Sequence, residues 1–385
     1  MSATGSPGTT SSLRSANQQR VVDVLRTGGD VTQAEIARQT GLAPATVSSI
    51  VRDLAGSGIV TTEPGSGRRG TTVALSRSAG LVAGVDFGHS HVAVAVADLT
   101  GTLLAERRQP LDSAHSSDDG LAAADALLSD IVAELGVDRA SIRTVGLGLP
   151  APFTDGLVRS SAILPGWVGV NAEEAARKIF GCAVHAENDA NLGALAEHRR
   201  GVARGSDSTV FVKVSSGVGA GIVLDDRLFH GSSGTAGEIG HLTLDEGGPV
   251  CRCGSRGCLE AYASTGALQS MMELQLPGAT VTTIVAAARD GNVSALRALE
   301  DAGLHLGWAL ASVVNLLNPA LVVVGGDMAR AGDLLLESAR IGLRRHALDA
   351  VASTPVVASE LGERASLVGG VLLAAERTEL TASVA

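Results

Sequence analysis

The stretch EIGHLTLDEGGPVCRCGSRGCLE, residues 238–260, places one imidazole and three thiols, those of His241, Cys251, Cys253 and Cys258, within eighteen residues. A His/Cys3 set suits a tetrahedral zinc ion, whose borderline-soft character favours nitrogen and thiolate donors. Gly254 and Gly257 let the backbone fold tightly enough to bring the sulfurs to one ion. A filled shell leaves no open coordination position, so the ion is assigned to structure, where it fixes the loop carrying Glu238 and Glu260. The competing reading is a group of reduced or redox-active cysteines. The fourth cysteine, Cys182, stands alone and is expected to be a small buried residue.

The expected compartment also favours metal over disulfides. No apolar run approaches the roughly 20 residues that span a bilayer, and the opening residues MSATGSPGTTSS lack the apolar centre of a signal peptide. The expectation is a cytoplasmic protein without a membrane partner, in a reducing environment where clustered thiols bind metal.

Upstream of the cysteine loop, Glu187-Asn188-Asp189-Ala190-Asn191 follows a short apolar strand and opens a helix. Its polar side chains therefore project at a strand end, where α/β proteins bind ligands. With Glu238 and Glu260 these residues supply carboxylates and an amide, which match the donor and acceptor character of sugar hydroxyls. Asp189 has the chemistry of a general base acting on a hydroxyl that attacks a phosphate. The plainer alternative is that Asp189 only caps its helix. Three glycine turns after apolar strands have the form of phosphate loops: Asp86-Phe-Gly88-His-Ser90, residues 215–221 with Gly217 and Gly219, and Gly325-Gly326-Asp327.

The N-terminal part has a different periodicity. Apolar Val21, Val22, Val24 and Leu25 fit one helical face. A second helix over residues 32–39 starts with Thr32 and Glu35 in capping-box spacing, Gly41 makes a turn, and a third helix begins with Pro44 at its first position. Two β-prone stretches, 59–62 and 71–75, then flank a glycine-rich loop carrying Arg68 and Arg69. This is the layout of a winged helix-turn-helix. Ile36, Ala37, Leu42, Val47 and Ile50 would lock its helices, leaving Pro44, Ala45, Thr46, Ser48, Ser49 and Arg52 to face DNA and the two arginines to serve as a wing. The alternative is a trihelical module for protein contacts. A single reader binds modestly, so dimerisation on a pseudo-palindromic operator is expected.

At 385 residues, with 45% apolar but only 2% aromatic residues, the chain is long enough for several cores packed by Val, Leu, Ile and Ala. The net charge of -10 argues against coating nucleic acid with the whole surface. Residues 1–75 hold seven arginines and five acidic residues, a balance of +2, so any DNA site belongs there. Beyond residue 80, strands alternate with helices and imply two α/β lobes around a cleft, with no short tandem repeat. The expected division is a disordered 1–16, a DNA reader over 17–76, and a two-lobed ligand-binding domain over 80–380 with a metal loop at 238–260.

Taken together these residues resemble the ROK family of bacterial repressors, open reading frames and kinases. The likeness covers almost the whole chain. Its most specific part is Glu238-Ile-Gly-His241 followed by Cys251, Cys253, Cys258 and Glu260, supported by Leu164-Pro-Gly-Trp167, the 187–191 segment, 216–221 and 323–327. The resemblance implies an actin-like, two-lobed sugar-kinase fold with a structural zinc. It also implies a sugar site of Asn188, Asp189, Glu238, His241 and Glu260, with Asp189 matching the kinases' catalytic base. Kinases of the family ordinarily lack the reader, whereas its sugar-responsive repressors, of the xylose and N-acetylglucosamine type, carry one. Where the kinases show Asp, any residue, Gly, Gly, Thr, this chain has Asp86-Phe-Gly88-His89-Ser90. An imidazole at the second glycine position argues against ATP binding. The expected function is therefore a homodimer, or dimer of dimers, that represses carbohydrate-utilisation genes until a sugar binds. The rivals are an ATP-dependent, glucokinase-like sugar kinase with an added reader, and an activator built from the same parts.

Overall fold

A computed structural model describes residues 10–65, 70–154, 156–159 and 163–380. Helix α1 (Thr10–Gly28) opens the chain, followed by β1 (Val31–Thr32), α2 (Gln33–Thr40), α3 (Pro44–Gly56) and the hairpin β2 (Val60–Glu63) and β3 (Thr72–Leu75). Helix α1 corrects the expected disorder of residues 1–16: residues 10–16 are helical, while 1–9 lie outside the described residues. Thr32 caps α2 by accepting from the Glu35 amide at 3.2 Å. The expected capping box is only half formed, because the Glu35 carboxylate turns to Arg38 and Gln39 instead of back to the cap. Strand β3 pairs with both β1 and β2, giving a three-stranded wing. Arg68 and Arg69 lie outside the described residues.

The first lobe contains β4 (Leu81–Phe87), β5 (His91–Asp98), β6 (Leu103–Pro110), α4 (Ser117–Leu135), β7 (Ile142–Leu149), a small β8 (Phe153–Thr154) and β9 (Leu157–Val158) ribbon, α5 (Ala172–Phe180) and β10 (Ala183–Asn188). After α6 (Asp189–Arg200), the second lobe brings β11 (Ser208–Val214), β12 (Val218–Leu224) and β13 (Arg227–Leu228). It continues with α7 (Glu260–Ala263), α8 (Thr265–Met272), α9 (Val281–Arg289), α10 (Val293–Leu317), β14 (Leu321–Gly325), α11 (Asp333–His346), β15 (Val356–Ala358) and α12 (Ala365–Arg377). The two five-stranded sheets run β10-β7-β4-β5-β6 and β13-β12-β11-β14-β15. Each is an antiparallel three-strand meander extended by two parallel strands. The lobes thus repeat one topology that left no repeat in the sequence.

Strand β5, HVAVAVAD, shows how composition divides its faces: Val92, Val94 and Val96 enter the first lobe's core beside α4, while Ala93, Ala95 and Ala97 point towards α12. Small residues on that side let α12 lie close. Helix α12 also crosses α6, and at Gly369 a Cβ would lie 2.0 Å from the Leu192 carbonyl oxygen, so only glycine fits the crossing. The two helices pack against each other between the two sheets. No helix among the described residues is long and apolar enough to cross a membrane.

The reader does not hang on a loose tether. Its buried Val21, Val22, Leu25, Ile36, Val47, Ile50 and Leu54 belong to one apolar cluster with Val371, Ala374, Ala375 and Leu380. Arg26, 7% exposed, donates to the main-chain carbonyls of Glu376, at 3.2 Å, and of Thr378. Burial lowers the affinity of its guanidinium for a proton, with Asp23 and Glu376 opposing. Carbonyls at a helix C-terminus are natural partners for such a cation. Replacing Arg26 with Ala should cost about 1.5–3 kcal/mol, the range for hydrogen bonds to charged groups. Urea denaturation should register this as an earlier loss of the reader, and limited proteolysis should cut between the reader and β4 sooner than in wild type.

Candidate functional site

A cleft of about 880 Å³ between the lobes is lined by Asn188, Asp189, Glu238, His241 and Glu260, so the five proposed sugar-site residues converge from three separate segments. Asn188 ends β10, and its Oδ1 accepts from the amides of Ala190 at 2.9 Å and Asn191 at 3.2 Å. The capping role considered for Asp189 therefore falls to Asn188, whose Nδ2 donates to the Ala151 carbonyl at 3.4 Å. Asp189 is the first residue of α6, buried, with Oδ2 2.8 Å from the ammonium of Lys213. An anion at a helix N-terminus is favoured by the aligned peptide dipoles.

Glu187 pins this corner. Its carboxylate accepts from the Asn188 amide and Asn191 Nδ2, each at 2.9 Å, and from His230 Nε2 at 2.7 Å. Burial pushes the Glu187 carboxyl up, but these hydrogen bonds outweigh it and hold the group below its ordinary value.

On the opposite wall, Glu260 is 5% exposed; its Oε2 accepts from the Val218 amide at 3.1 Å and its Oε1 lies 2.9 Å from Arg252 Nε. Arg252 also donates to the Ser216 carbonyl, tying the cysteine loop to the glycine turn. Glu238 keeps 40% of its side chain open to the cleft. Enclosure by the walls still pushes its carboxyl up; His241 opposes this, and Asp189 and Glu260 reinforce it.

The four donors of His241, Cys251, Cys253 and Cys258 lie within 4.8 Å of one another. The Cys253 and Cys258 sulfurs are 3.8 Å apart, and His241 Nδ1 is 3.8 Å from the Cys251 sulfur. Tetrahedral zinc with Zn–S bonds of about 2.3 Å spaces its sulfurs about 3.8 Å apart, so this donor set fits a structural metal ion. The left-handed turn at Gly257, φ 62°, makes the approach possible, since a Cβ there would lie 1.6 Å from the Asp245 carbonyl oxygen. His241 presents Nδ1 to the thiols and Nε2 to Glu238, 4.0 Å away, so the two roles assigned to it fall on different ring nitrogens.

The phosphate-type turns are less uniform. Gly88, Ser90, Gly217 and Gly219 line the cleft, whereas Asp86 and Gly326 border a void of about 30 Å³ behind Lys213. Gly325 reaches neither, which corrects its assignment: it packs on Phe211, whose ring atom Cζ would lie 2.4 Å from a Cβ there. The His89 imidazole extends across the first turn to the Ile163 carbonyl, 3.3 Å away. Asp86 is buried, its Oδ1 has no hydrogen-bond partner, and burial pushes its carboxyl up.

Among the lining residues that escaped the sequence reading are Lys213, Arg252 and His91. Burial pushes His91 down to about 4, so its ring is neutral at physiological pH. A lysine interrupting the apolar run VFVKV and an arginine between two metal-type cysteines were the available signals.

In the N-terminal module, Val47, Ile50, Val51 and Leu54 bury one face of α3. Pro44, Ala45, Ser49 and Arg52 are exposed on the other, with Thr46 and Ser48 half-buried at its edge. Ala37 and Leu42 are partly buried against the same core as Ile36.

The ROK family profile matches residues 82–377, and the MarR family profile matches residues 15–69. The chain is 26% identical to the xylose repressor of Bacillus subtilis, over 93% of this chain and 94% of that protein. It is 29% identical to the DNA-binding transcriptional dual regulator NagC of Escherichia coli, over 92% and 90%. The crystal structure of a ROK family transcriptional regulator, a homologue of the E. coli MLC protein, superposes with a TM-score of 0.79 at 24% identity, over 95% of this chain and 96% of that one.

The Glu187–His230 pair makes the corner of the cleft sensitive to pH. Glu187 is held below its ordinary 4.5 and His230, chiefly by its hydrogen bond to Glu187, above its ordinary 6.5. The carboxylate's share of stability is present above 4.5 and lost as pH falls through the lowered value. The imidazolium's share is present below 6.5 and lost as pH rises through the raised value. The melting temperature of His230→Gln should therefore fall furthest below wild type between 4.5 and 6.5 and converge with it in alkaline buffer. A difference that stays the same from pH 4.5 into alkaline buffer would remove the pair from the account.

Proposed function

Since the chain belongs to the ROK family, we propose that it is a sequence-specific transcriptional regulator, a repressor of carbohydrate-utilisation genes that a sugar releases from DNA. The observation that carries this reading is the joining of two parts in one folded body. An exposed recognition-type helix sits on a module whose core is continuous with α12, and α12 crosses α6, whose first residue, Asp189, lines a cleft of hydroxyl-matching groups. The repressors of xylose and N-acetylglucosamine, to which the chain is similar over nearly its whole length, support it.

In this reading α3 enters the major groove. Ser49 and Thr46 hydrogen-bond phosphates, and exposed Arg52 reaches a phosphate or a guanine edge. Two copies of the chain present two readers to a pseudo-palindromic operator. The cleft binds the effector through Asp189, Glu238, Glu260, the Asn188 amide nitrogen and the Nε2 of His241. Control requires that the sugar prefer the arrangement of lobes in which the readers are wrongly spaced, because equal affinity for both arrangements shifts nothing. We assign zinc to the His241, Cys251, Cys253, Cys258 set, where its chemistry is structural: it holds the loop that aims Glu260 and Arg252.

The kinase reading would need Asp189 as a free base and the glycine turns as phosphate donors. Asp189 is ion-paired with Lys213, and the Val218 amide is already given to Glu260. Both features favour the regulator.

Selection of bound sequences from random DNA should yield a two-fold-related site. Arg52→Ala should weaken binding to it by about 1–3 kcal/mol while sparing the fold. A neutral sugar from a panel should lower operator affinity in a gel-shift or anisotropy assay. Metal analysis should find about one zinc ion per chain, lost in Cys258→Ser. Indiscriminate DNA binding at moderate salt would overturn the proposal.

A further inference from the structure

Lys213 belongs to none of the constellations that define the sugar site, the metal loop or the reader. It interrupts β11, and its side chain is 18% exposed on the wall between the large cleft and the small void. Its ammonium donates to Asp189 Oδ2 at 2.8 Å and to Ser366 Oγ at 3.1 Å, and Ser366 in turn donates to the Asp189 carbonyl at 2.9 Å. The first turns of α6 and α12 therefore grip it together. Burial opposes the charge, but Asp189, Asp86 and Asp327 outweigh it and hold the ammonium well above the usual lysine range.

Asp86, Asp189 and Asp327 come from the end of β4, the start of α6 and the turn after β14. Carboxylates gathered this way beside glycine turns are oxygen ligands suited to a magnesium ion carrying a nucleotide's phosphates. That group does not fit these residues. The ammonium already lies among the carboxylates, and a second cation would be repelled by it. The amide at Val218 is occupied by Glu260, and the first turn carries the His89 imidazole. One buried Asp86 oxygen has no donor at all; the cluster's charge is met at hydrogen-bond distance by Lys213 on Asp189, with Arg108 acting on Asp86 from the far side of the void.

We propose that Lys213 is a built-in cation standing where a metal–phosphate complex would otherwise lie, and that with Asp189 it reads one hydroxyl of an uncharged sugar. A hydroxyl both donates and accepts; Asp189 takes its proton in a hydrogen bond while Lys213 donates to its oxygen. A phosphorylated sugar is rejected at this end of the cleft, because without a metal its phosphate faces carboxylates with one ammonium between them. The sugar half of the inference rests on the effector-site reading above, whereas the cation half does not.

The test uses the full chain in two arms. In the first, Mn2+ with and without ATP is titrated into wild type, Asp189→Asn, Lys213→Ser and Lys213→Ser/Asp189→Asn, with uptake followed by electron paramagnetic resonance. Wild type and Asp189→Asn should behave alike, without saturable uptake in the cleft. Lys213→Ser should gain about one Mn2+ per chain, and the double variant should lose it again. Uptake by wild type that Asp189→Asn abolishes overturns the proposal, as does a folded Lys213→Ser protein that takes up none. If Lys213→Ser does not fold, the comparison of wild type with Asp189→Asn still decides.

In the second arm, calorimetry compares D-xylose, D-glucose and N-acetylglucosamine with their phosphates. The sugar that binds should do so at least about ten-fold more tightly than its phosphate, and Lys213→Met should weaken it by about ten-fold. The reverse preference, or unchanged affinity in Lys213→Met, overturns the sugar half. If no sugar binds, the effector reading itself fails, while the Mn2+ arm still decides the role of Lys213.

Discussion

The crossing of α6 and α12 is the constraint on which the rest of the molecule depends. Both helices lie between the two sheets, and they can touch only because Gly369 places no side chain against the Leu192 carbonyl. From that contact the important positions follow by geometry. The start of α6 sets Asp189 in the cleft, the start of α12 sets Ser366 beside it, and the far end of α12 presents the carbonyls that receive Arg26. Cleft and reader are therefore two ends of one packed unit.

Charge is handled in the same way throughout the site. Asp189 faces Lys213, Glu260 faces Arg252 and Glu187 faces His230, so three of its carboxylates meet a basic partner in the protein before any ligand arrives. Burying a carboxylate alone would shift it towards its neutral form. Pairing holds each one oriented, which suits a pocket that must hold hydroxyls in fixed directions. It does not suit a base that must give up its partner to take a proton.

Most elements were legible because strands and helices differ in the period of their apolar residues, and beyond residue 80 strands do alternate with helices in two α/β lobes. Caps were legible in kind but not in detail: the choice between Asn188 and Asp189, or between Glu35 turning to its cap and turning to Arg38, depends on neighbours that no local pattern reveals. The repeat of the two sheets was hidden because topology can persist where side chains do not. Lys213 and Arg26 were missed for a related reason. Each finds its partners through the folded chain, Arg26 across some 350 positions, so nothing beside it in sequence announces the contact.

On the body, Arg26 grips peptide oxygens, while its own helix supplies the Asp23 carboxylate 3.6 Å away. Its hold on the body therefore asks that the main chain at 376 and 378 keep its course, and the buried Thr378 hydroxyl, tied to Thr144 and to the Ala374 carbonyl, helps to fix that course. A single cation thus adds direction to an apolar seam that has none: Val371, Ala374 and Leu380 hold the reader close, and the arginine fixes its rotation against the body.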